Sequence, residues 1–203
     1  PIRLKSVNLK KGLKGWSLTG TPVDCAKVAI QTLFNKKPDL VISGINLGAN
    51  LGKNLIYSGT ISAAYEGTLI GVPSAAISLD SFKTRNFTGA KYVATLIANH
   101  LLQYKLPKGT MLNVNVPNID KKELRGFIVT KQGNQSFSDT FEKRIDPRGN
   151  SYFWIKGKMI NNDSSIEYDS KAVSNGYVSI TPIHFNITNK SYIKDLKKKI
   201  LYE

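Results

Sequence analysis

Asn46, Asn50 and Asn54 recur at four-residue intervals, interleaved with Gly44, Gly48 and Gly52 at the same spacing, and the run closes on Ser58-Gly59-Thr60. Amide oxygens suit hard cations, and glycines let backbone N–H groups approach an anion with no Cβ in the way. The apolar run Leu40-Val41-Ile42 ahead of them reads as a buried parallel strand, and Ile61–Leu69 behind them as a helix. Strand, glycine-rich loop and a hydroxyl residue at a helix start is how an α/β sheet builds a phosphate site at its carboxyl edge. The helix end adds unpaired N–H groups and partial positive charge. Residue types alone leave two readings open: an anion cradle using Ser58 and Thr60, or an ordinary loop with Thr60 as a plain N-cap.

Counting excludes the familiar alternatives. A dinucleotide fingerprint needs G-x-G-x-x-G, whereas Gly44, Gly48 and Gly52 follow G-x-x-x-G-x-x-x-G. A Walker loop needs four residues between its glycines and then Lys-Ser/Thr, but Lys53 is followed by Asn54. The surroundings are too polar for a membrane G-x-x-x-G dimer face.

Ser43–Asn46 (SGIN), Gly48–Gly52 (GANLG) and Tyr57–Gly67 (YSGTISAAYEG) together resemble the SurE family, survival protein E. The likeness extends to Thr19–Cys25 (TGTPVDC), to Asn113–Pro117 (NVNVP) and to Gly176–His184 (GYVSITPIH). It implies a metal-dependent phosphomonoesterase that hydrolyses nucleoside 5'-monophosphates to nucleoside and phosphate, with Mg2+ or Mn2+ as cofactor. By the same resemblance Asn46 is a metal ligand, Ser58, Gly59 and Thr60 hold the phosphate, and Asn50 shapes the cradle. The family's remaining ligands are an adjacent Asp-Asp pair after an N-terminal strand and a serine in the following segment. This sequence has no Asp-Asp pair, so the expectation is an N-terminally truncated chain, short of one strand–helix–strand unit of about thirty to fifty residues. The competing reading is a non-catalytic anion-binding or oligomerisation protein that has lost the metal carboxylates.

The 203 residues fit one domain over 1–203, and 41% hydrophobic content suits a globular core. No apolar run reaches membrane-spanning length, and the basic start has no signal-like apolar segment. Cys25 is the single cysteine, which suits a reducing compartment and makes the cytoplasm the default. Net charge is +15, but the lysines are scattered and the one dense run, Lys197-Lys198-Lys199, falls on a terminal amphipathic helix. A nucleic-acid partner is therefore not expected.

The elements that must position the site follow in order. Thr21-Pro22-Val23-Asp24 starts a helix with a capping-box pattern, running to about Phe34. Strands are expected at Asp39–Ser43, Ser74–Leu79, Thr110–Val116, Phe127–Gly133 and Tyr177–Ile183, with a long helix at Asn86–Tyr104 and a last one at Tyr192–Leu201. The alternation specifies an α/β fold, Rossmann-like, with a mostly parallel sheet and helices on both faces. Residues 134–160 read as a protruding C-terminal β-hairpin around the Asp146–Asn150 turn. Its aromatics, Phe137, Phe141, Tyr152, Phe153 and Trp154, exceed what an exposed arm needs. Packing on another subunit would account for them, as would folding back on the hairpin's own domain, and the resemblance implies a homodimer or homotetramer built through C-terminal elements. Asp24 is expected to cap, Asp39 to start a strand, and Glu66 to pack or pair. Cys25 and His100 read as packing residues, and His184 as a structural or subunit contact.

Overall fold

The computed structural model describes residues 1–83 and 86–201; positions 202 and 203, at the end of the expected domain, lie outside the described residues. The chain opens with an antiparallel pair, β1 (Leu4–Asn8) and β2 (Lys14–Leu18). Helix α1 (Pro22–Val28) follows with the expected capping box: Thr21 Oγ1 accepts from the Asp24 N–H, and Asp24 Oδ2 accepts from the Thr21 N–H. It widens into a π turn over Ala29–Leu33, so the regular helix is shorter than its sequence suggests.

The sheet is built from β3 (Val41–Leu47), β4 (Ser74–Asp80), β5 (Met111–Pro117), β6 (Phe127–Val129) and β9 (Val178–Ile183), in the order β3-β4-β5-β9-β6. β3, β4 and β5 are mutually parallel, β9 runs antiparallel to β5, and β6 is parallel to β9. The sheet is mostly parallel, as expected, with one antiparallel neighbour pair, β5 and β9. Between these strands come α2 (Gly59–Leu69), α3 (Thr88–Gln103) and the short α4 (Asp169–Ser174). The expected strand at Phe127–Gly133 is only three residues long, continued by a single bridge between Lys131 and Tyr168.

Helices cover both faces, and the two faces differ. Ala90, Val93, Ile97 and Leu101 recur at three- and four-residue spacing on α3 and are buried against Ala75, Ile77, Leu79, Leu112, Val114 and Val116. Burying each large aliphatic side chain contributes about 1.5–3 kcal/mol before entropy is counted. Leu96, His100 and Tyr104, expected on the same stripe, lie at its exposed edge. On the opposite face Ile61 and Ala64 of α2 meet Ala76, Met111 and Ile183. Beyond those residues that face turns polar: Ser78, Asn113, Asn115, Ser179 and Thr181 are all buried.

The hairpin consists of β7 (Ser136–Ile145) and β8 (Ser151–Ile160), antiparallel in continuous register. Asp146 Oδ1 accepts the N–H groups of Arg148 and Asn150, closing its turn. Phe141, Phe153, Trp154 and Ile155 are exposed along it. Helix α5 (Lys190–Leu201) ends the described chain, and among the described residues no helix is long and apolar enough to cross a membrane.

Candidate phosphate site

Asn46 reaches its position through a bulge. Up to Gly44 the register of β3 on β4 is regular, with Ile42 opposite Ala75 and Gly44 opposite Ile77. One extra residue, Ile45, then enters and Asn46 pairs with Ser78 instead of Leu79. Strict alternation would have put Asn46 on the apolar α3 face with Ile42. The bulge re-aims it onto the polar face, and Ile45 packs into the α3 core instead. The strand therefore runs through Leu47, four residues past the end expected at Ser43.

Three side chains meet there. The Ser78 hydroxyl donates to Asn46 Oδ1 at 2.7 Å, Asn50 Nδ2 donates to Ser78 Oγ at 2.7 Å, and a longer contact joins Asn50 Nδ2 to Asn46 Oδ1 at 3.4 Å. The Asn46 amide nitrogen in turn donates to the carbonyls of Leu47 and Gly48, 3.2 and 2.8 Å away.

The loop carrying Asn50 is pinned to the buried polar face. Asn50 N–H donates to Asn115 Oδ1 at 2.8 Å, and Asn50 C=O accepts from Asn113 Nδ2 at 2.9 Å and from Asn115 Nδ2 at 3.2 Å. Two residues on, Gly52 N–H donates to Asp169 Oδ2 at 2.9 Å, while Asp169 Oδ1 accepts from Gly133 N–H at 3.0 Å. Burial pushes the Asp169 carboxyl above the ordinary carboxylate range, even though the N–H groups of Gly52, Gly133 and Ser170 pull it down. Beside it, desolvation raises Asp163, but the Ser170 hydroxyl and the N–H groups of Asn134 and Gln135 outweigh this and hold it below its usual value. A buried acid and two buried asparagines thus fix the loop beside its buried aliphatic, Leu51.

Helix α2 brings the second half of the site. Near its C-terminal end, Gly67 packs against Val41 and Ser74, at the amino ends of β3 and β4. Helix and strands therefore run in opposite directions, which puts the α2 N-terminus at the carboxyl edge where Asn46 lies. Ser58 is the N-cap, its Oγ accepting from the Ile61 N–H at 3.2 Å. Thr60 is not the cap. Its hydroxyl makes no hydrogen bond among the described residues, and the N–H groups of Gly59 and Thr60, first in the helix, lack carbonyl partners. Gly59 lies against Pro22 of α1, so a Cβ there would press on the proline ring at 3.0 Å.

The structure thus brings Asn46 and Asn50 into one hydrogen-bonded cluster, and sets Ser58, Gly59 and Thr60 at the helix end on the same sheet edge. Sequence reading gave no role to Ser78, Asp169, Asn113 or Asn115, although the last two lie in a block that carries the resemblance. The alternation Asn113-Val114-Asn115-Val116 was the available signal, since a strand covered on both faces seldom places two asparagines on one of them without a partner to satisfy. Asp24 caps α1, and Glu66 pairs with Lys27 at 3.6 Å across α1 and α2. His184 is exposed and accepts the Asn186 N–H on Nδ1. Asp80, two residues beyond Ser78, lines a different cleft with Asn118, Glu123 and Arg125.

Among the described residues no three His, Cys, Asp or Glu side chains gather to hold a metal. Asn46 Oδ1 and Ser78 Oγ are hard, neutral oxygen donors, which fit Mg2+ or Mn2+ as the uncharged part of a coordination shell.

An amide–hydroxyl cluster and an open helix N-terminus at the carboxyl edge of an α/β sheet form an arrangement suited to a phosphate. The model of the family Survival protein SurE matches residues 1–139. A 5'-nucleotidase SurE from Syntrophobacter fumaroxidans is 41% identical over 198 residues, spanning 98% of this chain and 79% of that protein. One from Carboxydothermus hydrogenoformans is 40% identical over 200 residues, 97% of this chain and 76% of that protein. The crystal structure of the SurE protein from Aquifex aeolicus superposes with a TM-score of 0.79 at 36% identity, covering all of this chain and 80% of the other. The chain belongs to the SurE family.

Proposed function

We propose that this protein is a 5'-nucleotidase, a phosphomonoesterase that hydrolyses nucleoside 5'-monophosphates to nucleoside and inorganic phosphate. The observation that carries it is the juxtaposition of the Asn46–Asn50–Ser78 cluster with the unpartnered N–H groups of α2, in a chain 41% identical to a 5'-nucleotidase SurE. The phosphate sits against the N–H groups of Gly59 and Thr60, and the Thr60 hydroxyl donates to one of its oxygens. Ser58 spends its Oγ lone pair on the cap and keeps its own O–H available as a donor. Asn50, held by its backbone to Asn113 and Asn115, closes the cradle without needing to move. Asn46, oriented by Ser78, is the residue that would hold a divalent cation. Bound there, Mg2+ or Mn2+ would offset phosphate charge and lower the pKa of an attacking water.

The exposed aromatics of the β7–β8 hairpin support a homo-oligomer, a dimer or tetramer, formed through that arm. The single cysteine supports a cytoplasmic site of action.

The test measures phosphate release from AMP and GMP by the 203-residue chain, with Mn2+ or Mg2+ and with EDTA. Ion-dependent release is expected; none with either ion would overturn the reading. In calorimetry with Mn2+ alone, Asn46→Asp is expected to retain more affinity than Asn46→Ala, because a carboxylate oxygen can replace the amide oxygen. Equal affinities would remove Asn46 from the ligand set.

A further inference from the structure

We propose that the cleft between the 3-10 turn Gly52–Tyr57 and the root of the β7–β8 hairpin is the nucleoside subsite, taking the base and ribose of a substrate whose phosphate lies at the α2 N-terminus. The inference rests on the nucleotidase reading and adds to it the residues that grip the leaving nucleoside. The cleft has a volume of about 600 Å3 and is lined by Lys53, Ile56, Tyr57, Gln132, Phe137 and Asp139, among others. That volume lies within the usual range for sites that enclose a small organic ligand.

Chain continuity places it. Tyr57 is the last residue of the turn and Ser58 is the cap of α2, so the wall of the cleft and the phosphate cradle are consecutive residues. Tyr57 is 84% exposed and Phe137 41% exposed, two aromatic rings lining a concave surface. Rings so placed offer a nucleobase a stacking face whatever the base. Lys53 and Asp139 carry opposite charges on the same lining, yet neither makes an ion pair among the described residues. Asp139 is suited to accept from ribose hydroxyls, and Lys53 to donate to oxygens of the same ligand.

The frame around these groups is built rather than fluid. Lys53 N–H donates to the Gln135 carbonyl at 2.8 Å, Phe137 N–H to Asn54 Oδ1 at 3.2 Å, and Gln132 Nε2 to the Gly52 carbonyl at 3.0 Å. Gly52 makes this closeness possible, because a Cβ there would lie 2.4 Å from the Gln135 carbonyl oxygen. The backbone groups and the Asn54 amide are committed to holding turn and hairpin together, while the aromatic faces and the two charged ends remain for a ligand. Recognition through ring faces predicts tolerance of the base.

Calorimetry on the 203-residue chain with AMP, GMP and inorganic phosphate tests this. Tyr57→Ala should weaken AMP and GMP alike by about tenfold, the scale of one lost base–aromatic stack, and leave phosphate affinity within about twofold. Tyr57→Phe should keep wild-type affinity, which separates ring stacking from any loss of fold. AMP binding unchanged in Tyr57→Ala, or wild type binding AMP no better than phosphate, overturns the subsite and leaves the nucleotidase reading standing. Wild type binding neither AMP nor phosphate overturns both.

Discussion

Asn115→Leu removes the amide that holds the site loop while keeping the branched shape of the side chain. Asn115 is fully buried, accepts the Asn50 N–H at 2.8 Å and donates to the Asn50 carbonyl at 3.2 Å and to Asn113 Oδ1 at 3.3 Å. In the variant the Asn50 carbonyl keeps Asn113 Nδ2, but the Asn50 N–H and Asn113 Oδ1 lose their partners. A part-buried N–H without a partner costs about 1–3 kcal/mol, and the weaker acceptor adds about 1 kcal/mol. The leucine is apolar where the amide was polar and returns about 1 kcal/mol of that. A net loss of about 1–3 kcal/mol is expected, a fall of about 2–12 °C in Tm for a chain of this size. Urea unfolding should show a lower midpoint at unchanged slope, which assigns the change to the folded state. The site should suffer with it, because Asn50 Nδ2 is set against Ser78 by the same backbone, so phosphate affinity should drop several-fold. A stability loss below about 0.5 kcal/mol, or full loss with phosphate binding intact, would refute the idea that buried asparagines position the cradle.

Two further outcomes follow from the same network. Gly52→Ala asks a residue with φ +56° to accept a side chain against the Gln135 backbone; a loss of about 3 kcal/mol or more is expected together with weaker AMP binding, and a near-neutral effect in thermal unfolding would contradict the packing described. Asp169 gives a pH signature: its folded carboxyl is raised above the unfolded value by burial, so its contribution is fully present below the unfolded pKa and is lost as pH rises through the folded one. Urea titrations across that interval should show a downward slope that Asp169→Asn removes, and parallel curves for the two proteins would exclude the assignment.

Much of this architecture is legible in one dimension. Apolar periodicity located α3, the apolar run after Asp39 located β3, and the Thr21–Asp24 capping box located α1, because each depends on neighbours within a few residues. The family motifs likewise mark Asn46 and Ser58–Thr60 at once, since a glycine-rich run ending on a helix start is a local feature. Three matters only the tertiary structure decided. Ser58 rather than Thr60 caps α2, since either hydroxyl could serve and the choice depends on where the preceding turn delivers the chain. The face on which Asn46 projects depends on a bulge at Ile45, visible only in the register with β4. The grip on Asn50 and Gly52 comes from Asn113, Asn115 and Asp169, which are 63 to 117 residues away along the chain. The sequence by itself determined which groups are of a type that could hold a phosphate; the fold decided which of them meet at one sheet edge, because the direction of a side chain on a sheet is set by pairing with another strand.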